Sequence, residues 1–298
     1  MSVQAFHVSE EWSQITRRMY RERVYVGVAI LAVVVVSTGL VAVFDRLPLS
    51  VAWASFTVEA VSLCLYGAVA VGYALYHRAR VWAIAAGVYG IGLALMAVTD
   101  WLTKSGLSML PVDSPRAQSP ILYAGVVMLL YWGVLIWLMR RFPDEMRTIG
   151  LTGARWGAWA VVGLLTGLVL GGHLLFTATT AAGMSLSLRP WPYVLWSLCY
   201  EVGVQSITEE LFFRGVAFNY LYRVMGRNLW LSAIVTSLLN VAALMVKAGW
   251  SANLLLSLGT LFYTFAMGMV SAALFSRSRS IVPGFVNNVV FSMVTILL

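Results

Sequence analysis

The sequence predicts an all-α, polytopic transmembrane helix bundle, and three observations predict it. Of 298 residues, 60% are hydrophobic and 11% charged, against roughly 45–50% and about 25% in an ordinary soluble domain. Apolar runs of about 20 residues, the length a helix needs to cross a hydrocarbon core, recur along almost the whole chain. The basic residues gather in the short connections between these runs. A water-soluble globule is excluded. So is a nucleic-acid binder, because the net charge of +8 has no water-exposed domain on which to form a basic face. The first partner is therefore the lipid bilayer.

Nine spans follow, at about residues 24–44, 51–76, 81–99, 120–139, 156–177, 191–222, 229–246, 251–275 and 281–298. Assigning each of the 20 Lys and Arg to the nearer span end puts 15 on one side and 5 on the other. This positive-inside bias predicts a cytoplasmic N-terminus and an outer C-terminus.

Residues 1–23 predict a cytoplasmic interfacial segment, with Ser9 as N-cap, Glu10 and Glu11 in the first turn and arginines later. His7 reads as a surface residue rather than a ligand. The run from Val24 to Phe44 follows Arg17, Arg18, Arg21 and Arg23. It is longer than a secretory core and lacks a small-residue cleavage site, so it reads as an uncleaved first span. Cys64 and Cys199 both fall in apolar runs and make neither a disulfide framework nor a metal signature.

Residues 24–147 form an N-terminal four-span region, and the basic stretch from Arg140 to Trp156 marks the boundary with a core at 148–298. In the fifth span Gly163, Gly167 and Gly171 make a small-xxx-small stripe against which another helix backbone can lie closely. Trp191, Tyr193 and Trp196, beside Pro190 and Pro192, read as an interfacial aromatic belt.

Four acids lie in apolar surroundings: Glu59, Glu201, Glu209 and Glu210. Carboxylates there are costly and face a bundle interior or a wet cavity. Glu59 lies near a span end, where it can reach the interface or bind a neighbouring hydroxyl. Glu201, with Gln205 one turn on, is expected to line a polar crevice nearer the outer surface, outside the site. The sixth span carries TEELFFRGVAF. Glu210 and Arg214 stand four apart on one helix face, acid first. Glu209 points about 100° away, free for proton transfer. Alternatively, all three form one buried structural charge cluster.

The stretch EELFFRG, Glu209 to Gly215, resembles the first motif of the CPBP family, the CAAX-processing and bacteriocin-processing intramembrane proteases related to type II CAAX prenyl endopeptidases. The lead-in TIGLTGARWGAWAVVGLLTG resembles the start of that family's core, so the resemblance covers about residues 148–298. It implies an intramembrane endopeptidase acting on a membrane-associated peptide or protein, integral to a prokaryotic plasma membrane. By this resemblance Glu209 activates the hydrolytic water, while Glu210 and Arg214 hold the site. The family completes its site with a histidine in FxxxH and with a histidine and an asparagine in HxxxN.

Both later motifs have decayed. In TSLLNVAAL, Asn240 stands at the Phe position and Leu244 at the His position. In SIVPGFVNNVVFS, Asn288 stands at the second His position and Ser292 at the Asn position. No histidine follows His173. Losing a general acid or base costs about 10²–10⁴ in rate, and leucine moves no proton. The amide of Asn288 still donates to an oxyanion, a role worth about 10²–10³. His173 lies about 25 Å deep and Glu209 about 21 Å, so depth allows contact. Its rotation from Gly171 points it elsewhere if the glycine face packs on the sixth span, and a hydrogen bond to another helix is the expected state.

Three functions compete: an endopeptidase using Glu209, Glu210, Arg214 and Asn288; an inactive relative that binds a membrane peptide or partner; and a transporter. Transport predicts broken helices at matching places in two halves, a pattern only the sixth span approaches. The reading requires no cofactor, and a metal ligand set is undetermined.

Overall fold

The computed structural model describes residues 121–151, 156–224, 228–248 and 254–297, and among these all regular structure is helical, with no strand. The interfacial segment, the first three expected spans, His7, Glu59 and Cys64 lie outside the described residues.

Each expected span from the fourth to the ninth falls on a helix. Helix α1 is Ile121–Arg141, and a short α2, Pro143–Thr148, follows it with Pro143, Asp144 and Glu145 in its first turn, where a missing N–H and negative charge are both favoured. Helix α3 is Trp156–Thr180. The sixth span is one long helix in five pieces: α4 Trp191–Tyr200, a π-helical turn Glu201–Gln205, α5 Ser206–Glu209, a second π-helical stretch Glu210–Phe218, and α6 Asn219–Val224. Helices α7 Leu229–Ala248, α8 Leu254–Ser278 and α9 Val282–Thr295 complete the order.

Two of these helices, Trp156–Thr180 and Ser257–Ser278, are long and apolar enough to cross a membrane, and shorter apolar helices accompany them. Helix α3 turns Leu165, Val169 and Phe176 outward, each more than half exposed. So large an exposed apolar face suits lipid better than water.

The opposite face of α3 is the glycine stripe, and its partner is α9 rather than the sixth span. Gly163 lies over Pro283, Gly167 over Asn287 and Val290, and Gly171 over Val294. The two helices therefore run parallel. A Cβ on Gly167 would sit 2.6 Å from the Asn287 carbonyl oxygen, so only glycine allows this approach. Thr166 adds a hydrogen bond across the same seam, its hydroxyl donating to Asn287 Oδ1 at 2.8 Å.

One end of the bundle is sealed by close-packed apolar side chains. Met146, Ile149, Ile207, Leu211, Phe218, Phe275 and Ile281 meet there, all nearly inaccessible. The chain turns at Gly150 with φ +83°, a left-handed conformation natural to glycine. The Gly150 carbonyl accepts from the Ile281 N–H at 2.9 Å, and Asn219 Nδ2 donates to the Thr148 carbonyl at 2.8 Å. Helix α1 belongs to this same core through Tyr131, Leu135 and Leu138.

Candidate active site

The π segments decide what the sixth span shows to its neighbours. Tyr193, Ser197, Glu201, Gln205, Glu209 and Phe213 recur every fourth residue, and all six line one cavity. On a straight α-helix each four-residue step overshoots a full turn by about 40°, about 200° in all between Tyr193 and Phe213. Such a stripe would wind off the cavity. A π turn, closed by i→i+5 bonds, rotates less per residue and cancels the drift. The two π segments thus keep one polar stripe aimed one way.

A glycine marks each segment. A Cβ on Gly203 would come within 2.5 Å of Met128 Cβ, and one on Gly215 within 2.7 Å of the Ile149 carbonyl oxygen. Helix α1 also supplies Trp132, whose Nε1 donates to the Val202 carbonyl at 2.9 Å. This bond satisfies an acceptor inside the first π turn, where the α ladder is interrupted.

The cavity measures about 430 Å³. Helix α7 contributes Asn240, Ala243 and Leu244 to its wall; α8 contributes Thr260, Thr264 and Met267; α9 contributes Asn288, Phe291, Ser292 and Thr295. All four positions of the two decayed motifs therefore line the cavity that Glu209 lines. Asn288 Nδ2 donates to Glu209 Oε2 at 3.3 Å, and both Asn240 and Asn288 are buried.

Glu210 faces the other way. Its Oε1 lies 3.6 Å from Arg214 Nε, and both side chains are almost wholly buried. A Cβ on Gly284 would meet the Glu210 carboxylate carbon at 2.9 Å and Ser271 Oγ at 3.1 Å. The start of α9 thus closes over this ion pair through a glycine. The spacing argument places the two acids on different faces of the helix, and the geometry agrees.

Two expectations need correction. Glu201 and Gln205 line the same cavity as Glu209, because the π turn rephases them; Glu201 Oε2 accepts from Ser206 Oγ at 2.9 Å. Trp196 is not an interfacial residue: it is 1% exposed and stacks on Tyr200 at 5.3 Å between ring centroids. Tyr193 lines the cavity, while Trp191 alone of the three is well exposed. His173 is absent from the cavity lining. Its Nδ1 instead pairs with the Tyr263 hydroxyl on α8 at 2.6 Å, the interhelical hydrogen bond expected of it.

The cavity's donors and acceptors are carboxylates, amides, hydroxyls and the Arg189 guanidinium, with no imidazole among its lining residues. Among the described residues no cluster of three or more His, Cys, Asp or Glu is placed to hold a metal ion. Glu209 and Glu201 are the acidic residues of the lining.

A helix bundle with lipid-suited outer faces and a polar cavity around a glutamate defines a class, the membrane-embedded helical proteins that keep ionisable groups in an interior chamber. Residues 190–294 match the family model described as type II CAAX prenyl endopeptidase Rce1-like. This part of the chain carries an Rce1-like domain of the CPBP family. It covers the sixth to ninth expected spans and contains Glu209, Glu210, Arg214, Asn240, Leu244, Asn288 and Ser292, while Arg189, Thr295 and Ile296 of the cavity wall fall just outside it. No curated protein and no solved structure matches the chain.

Proposed function

We propose that this protein is an intramembrane endopeptidase whose reaction chamber is the cavity beside Glu209, and whose rate is lowered by the loss of both family imidazoles. The observation that carries the reading is the convergence of Glu209, Asn240, Leu244, Asn288 and Ser292 on one polar cavity, with the Asn288 amide against the Glu209 carboxylate. A retired site would be expected to fill with apolar side chains. This one keeps carboxylate, amide and hydroxyl groups around the acid.

In this mechanism Glu209 takes a proton from water, and the hydroxide adds to the carbonyl carbon of the scissile peptide bond. The Asn288 and Asn240 amides donate to the resulting oxyanion. The C–N bond breaks as Glu209 returns its proton to the leaving amine. Glu210 and Arg214 hold the helix in register and touch no reacting atom. Substrates are membrane-associated peptides or proteins, in a prokaryotic plasma membrane.

Glu209→Gln is expected to abolish cleavage of a membrane-reconstituted peptide, read by mass spectrometry as loss of the new N-terminus; cleavage that survives the change removes Glu209 from the mechanism. Leu244→His is expected to raise the rate by about 10²-fold or more, the lower bound for regaining a general acid or base. No gain would mean that position 244 no longer addresses the reacting centre. A second reading, peptide binding without hydrolysis, is favoured by one residue: Leu244 puts an apolar side chain where the family places its imidazole. Retained binding of the peptide with no cleavage in wild type would establish that reading instead.

A further inference from the structure

The cavity is asymmetric along the bundle axis. Its inner end, at Phe213, Asn240 and Asn288, is buried and abuts the sealed apolar core. Toward the other end its lining reaches Arg189, Tyr193, Thr295 and Ile296, and there Leu188 and Trp191 are largely exposed. The packing accounts for this difference. The Glu210–Phe218 stretch rests on α7 and α8, whereas α4 packs on α1 and α9. The long helix therefore leaves the α7–α8 pair as it runs back toward Pro190, and the cleft widens in that direction.

The charges are asymmetric along the same axis. At the sealed end lie Arg140, Arg141, Arg147, Arg277 and Arg279, on the ends of α1, α2 and α8 that surround the Ile149–Ile281 junction. At the open end the described helices and turns carry Arg189 and Lys247. Basic residues flanking spans mark the cytoplasmic side, and acids contribute little to that bias.

Taken together, these two asymmetries lead us to infer that the cavity opens to the non-cytoplasmic face, so that the peptide segments reaching Glu209 are those displayed on the exported side of the membrane. Two buried groups along the passage fit an extended chain. Ser197 Oγ and Gln205 Oε1 are buried side-chain atoms with no hydrogen-bond partner, and both residues line the cavity. An extended peptide presents N–H and C=O groups along its length and would satisfy both. The inference deepens the proposed function by naming which segments are substrates, and it rests on that reading for the nature of the occupant.

The test does not need hydrolysis. In a background with Cys64→Ala and Cys199→Ala, the full chain carries Ile296→Cys or Leu188→Cys at the open end, or Arg277→Cys at the sealed end. Intact spheroplasts are treated with a membrane-impermeant maleimide before and after permeabilisation. Ile296→Cys and Leu188→Cys are expected to label fully in intact cells, and Arg277→Cys only after permeabilisation. The reverse pattern overturns the inference, as does labelling of Leu188→Cys from outside while Ile296→Cys stays unreactive throughout. Should Ile296→Cys fail to accumulate, Thr295→Cys reads the same wall. A failure of Glu209→Gln to affect cleavage would sink the proposed mechanism and leave this labelling pattern unchanged.

Discussion

Glu209 and Glu210 are adjacent in the chain, and each is surrounded by a different kind of material. Glu209 looks into a cavity walled by amides and hydroxyls, with Asn288 beside it. Glu210 is shut against Arg214, Ser271 and the backbone at Gly284. The contrast teaches that the chemistry available to a carboxylate in a membrane is set by what lies opposite, and here one helix, α9, supplies both surroundings. Its Gly284 closes over the ion pair, and its Asn288, one turn further on, reaches the free-standing chamber.

The comparison can be broken most sharply at the two acids' own positions. Glu209→Gln should abolish cleavage while leaving the thermal melt in detergent close to wild type; a large drop in melting temperature would make Glu209 structural. Arg214→Ala should do the opposite to stability. Removing one partner of a buried pair costs about 3–5 kcal/mol, since the Glu210 charge is left uncompensated. A variant that expresses and melts like the parent would show that the pair does not hold the helices in register. Smaller still is Gly167→Ala at the α3–α9 seam, where overpacking costs about 1–3 kcal/mol. Its cleavage rate should fall only in so far as Asn288 is displaced, so an unchanged melt together with an unchanged rate would mean that the seam does not position α9.

The bundle was largely legible in the sequence because its signal is local. Apolar runs report helices wherever they occur, and the expected fourth to ninth spans agree with the helices to within a few residues. The inward set around Glu209 was legible through the spacing of EELFFRG and through the positions of Asn240, Leu244, Asn288 and Ser292. Glu201 and Gln205 read as a separate crevice because they lie nearer the outer surface than Glu209, and the π turn that holds them in phase with it leaves no trace in apolar periodicity. The glycines at 203 and 215 were the available signal. The partner of the Gly163–Gly171 stripe was illegible for another reason. A small-residue face states that some helix comes close, while the identity of that helix depends on the order of the whole bundle. The Trp196 assignment failed similarly, since a tryptophan near a span end reads alike whether it meets lipid or Tyr200.

The interrupted helix also fixes how tightly the length of this segment is constrained. Each π turn is equivalent to one residue inserted into an α-helix. Deleting a single residue between Glu201 and Gln205 would let that turn relax to ordinary winding and leave everything after Ser206 in place. The preceding turns would keep their phase as well, because the π turn takes up one residue without rotating its flanks, so Ser197 and Tyr193 would still face the passage. A gap of one in this stretch would therefore leave entrance and chamber joined, the interrupted turn holding one residue of slack.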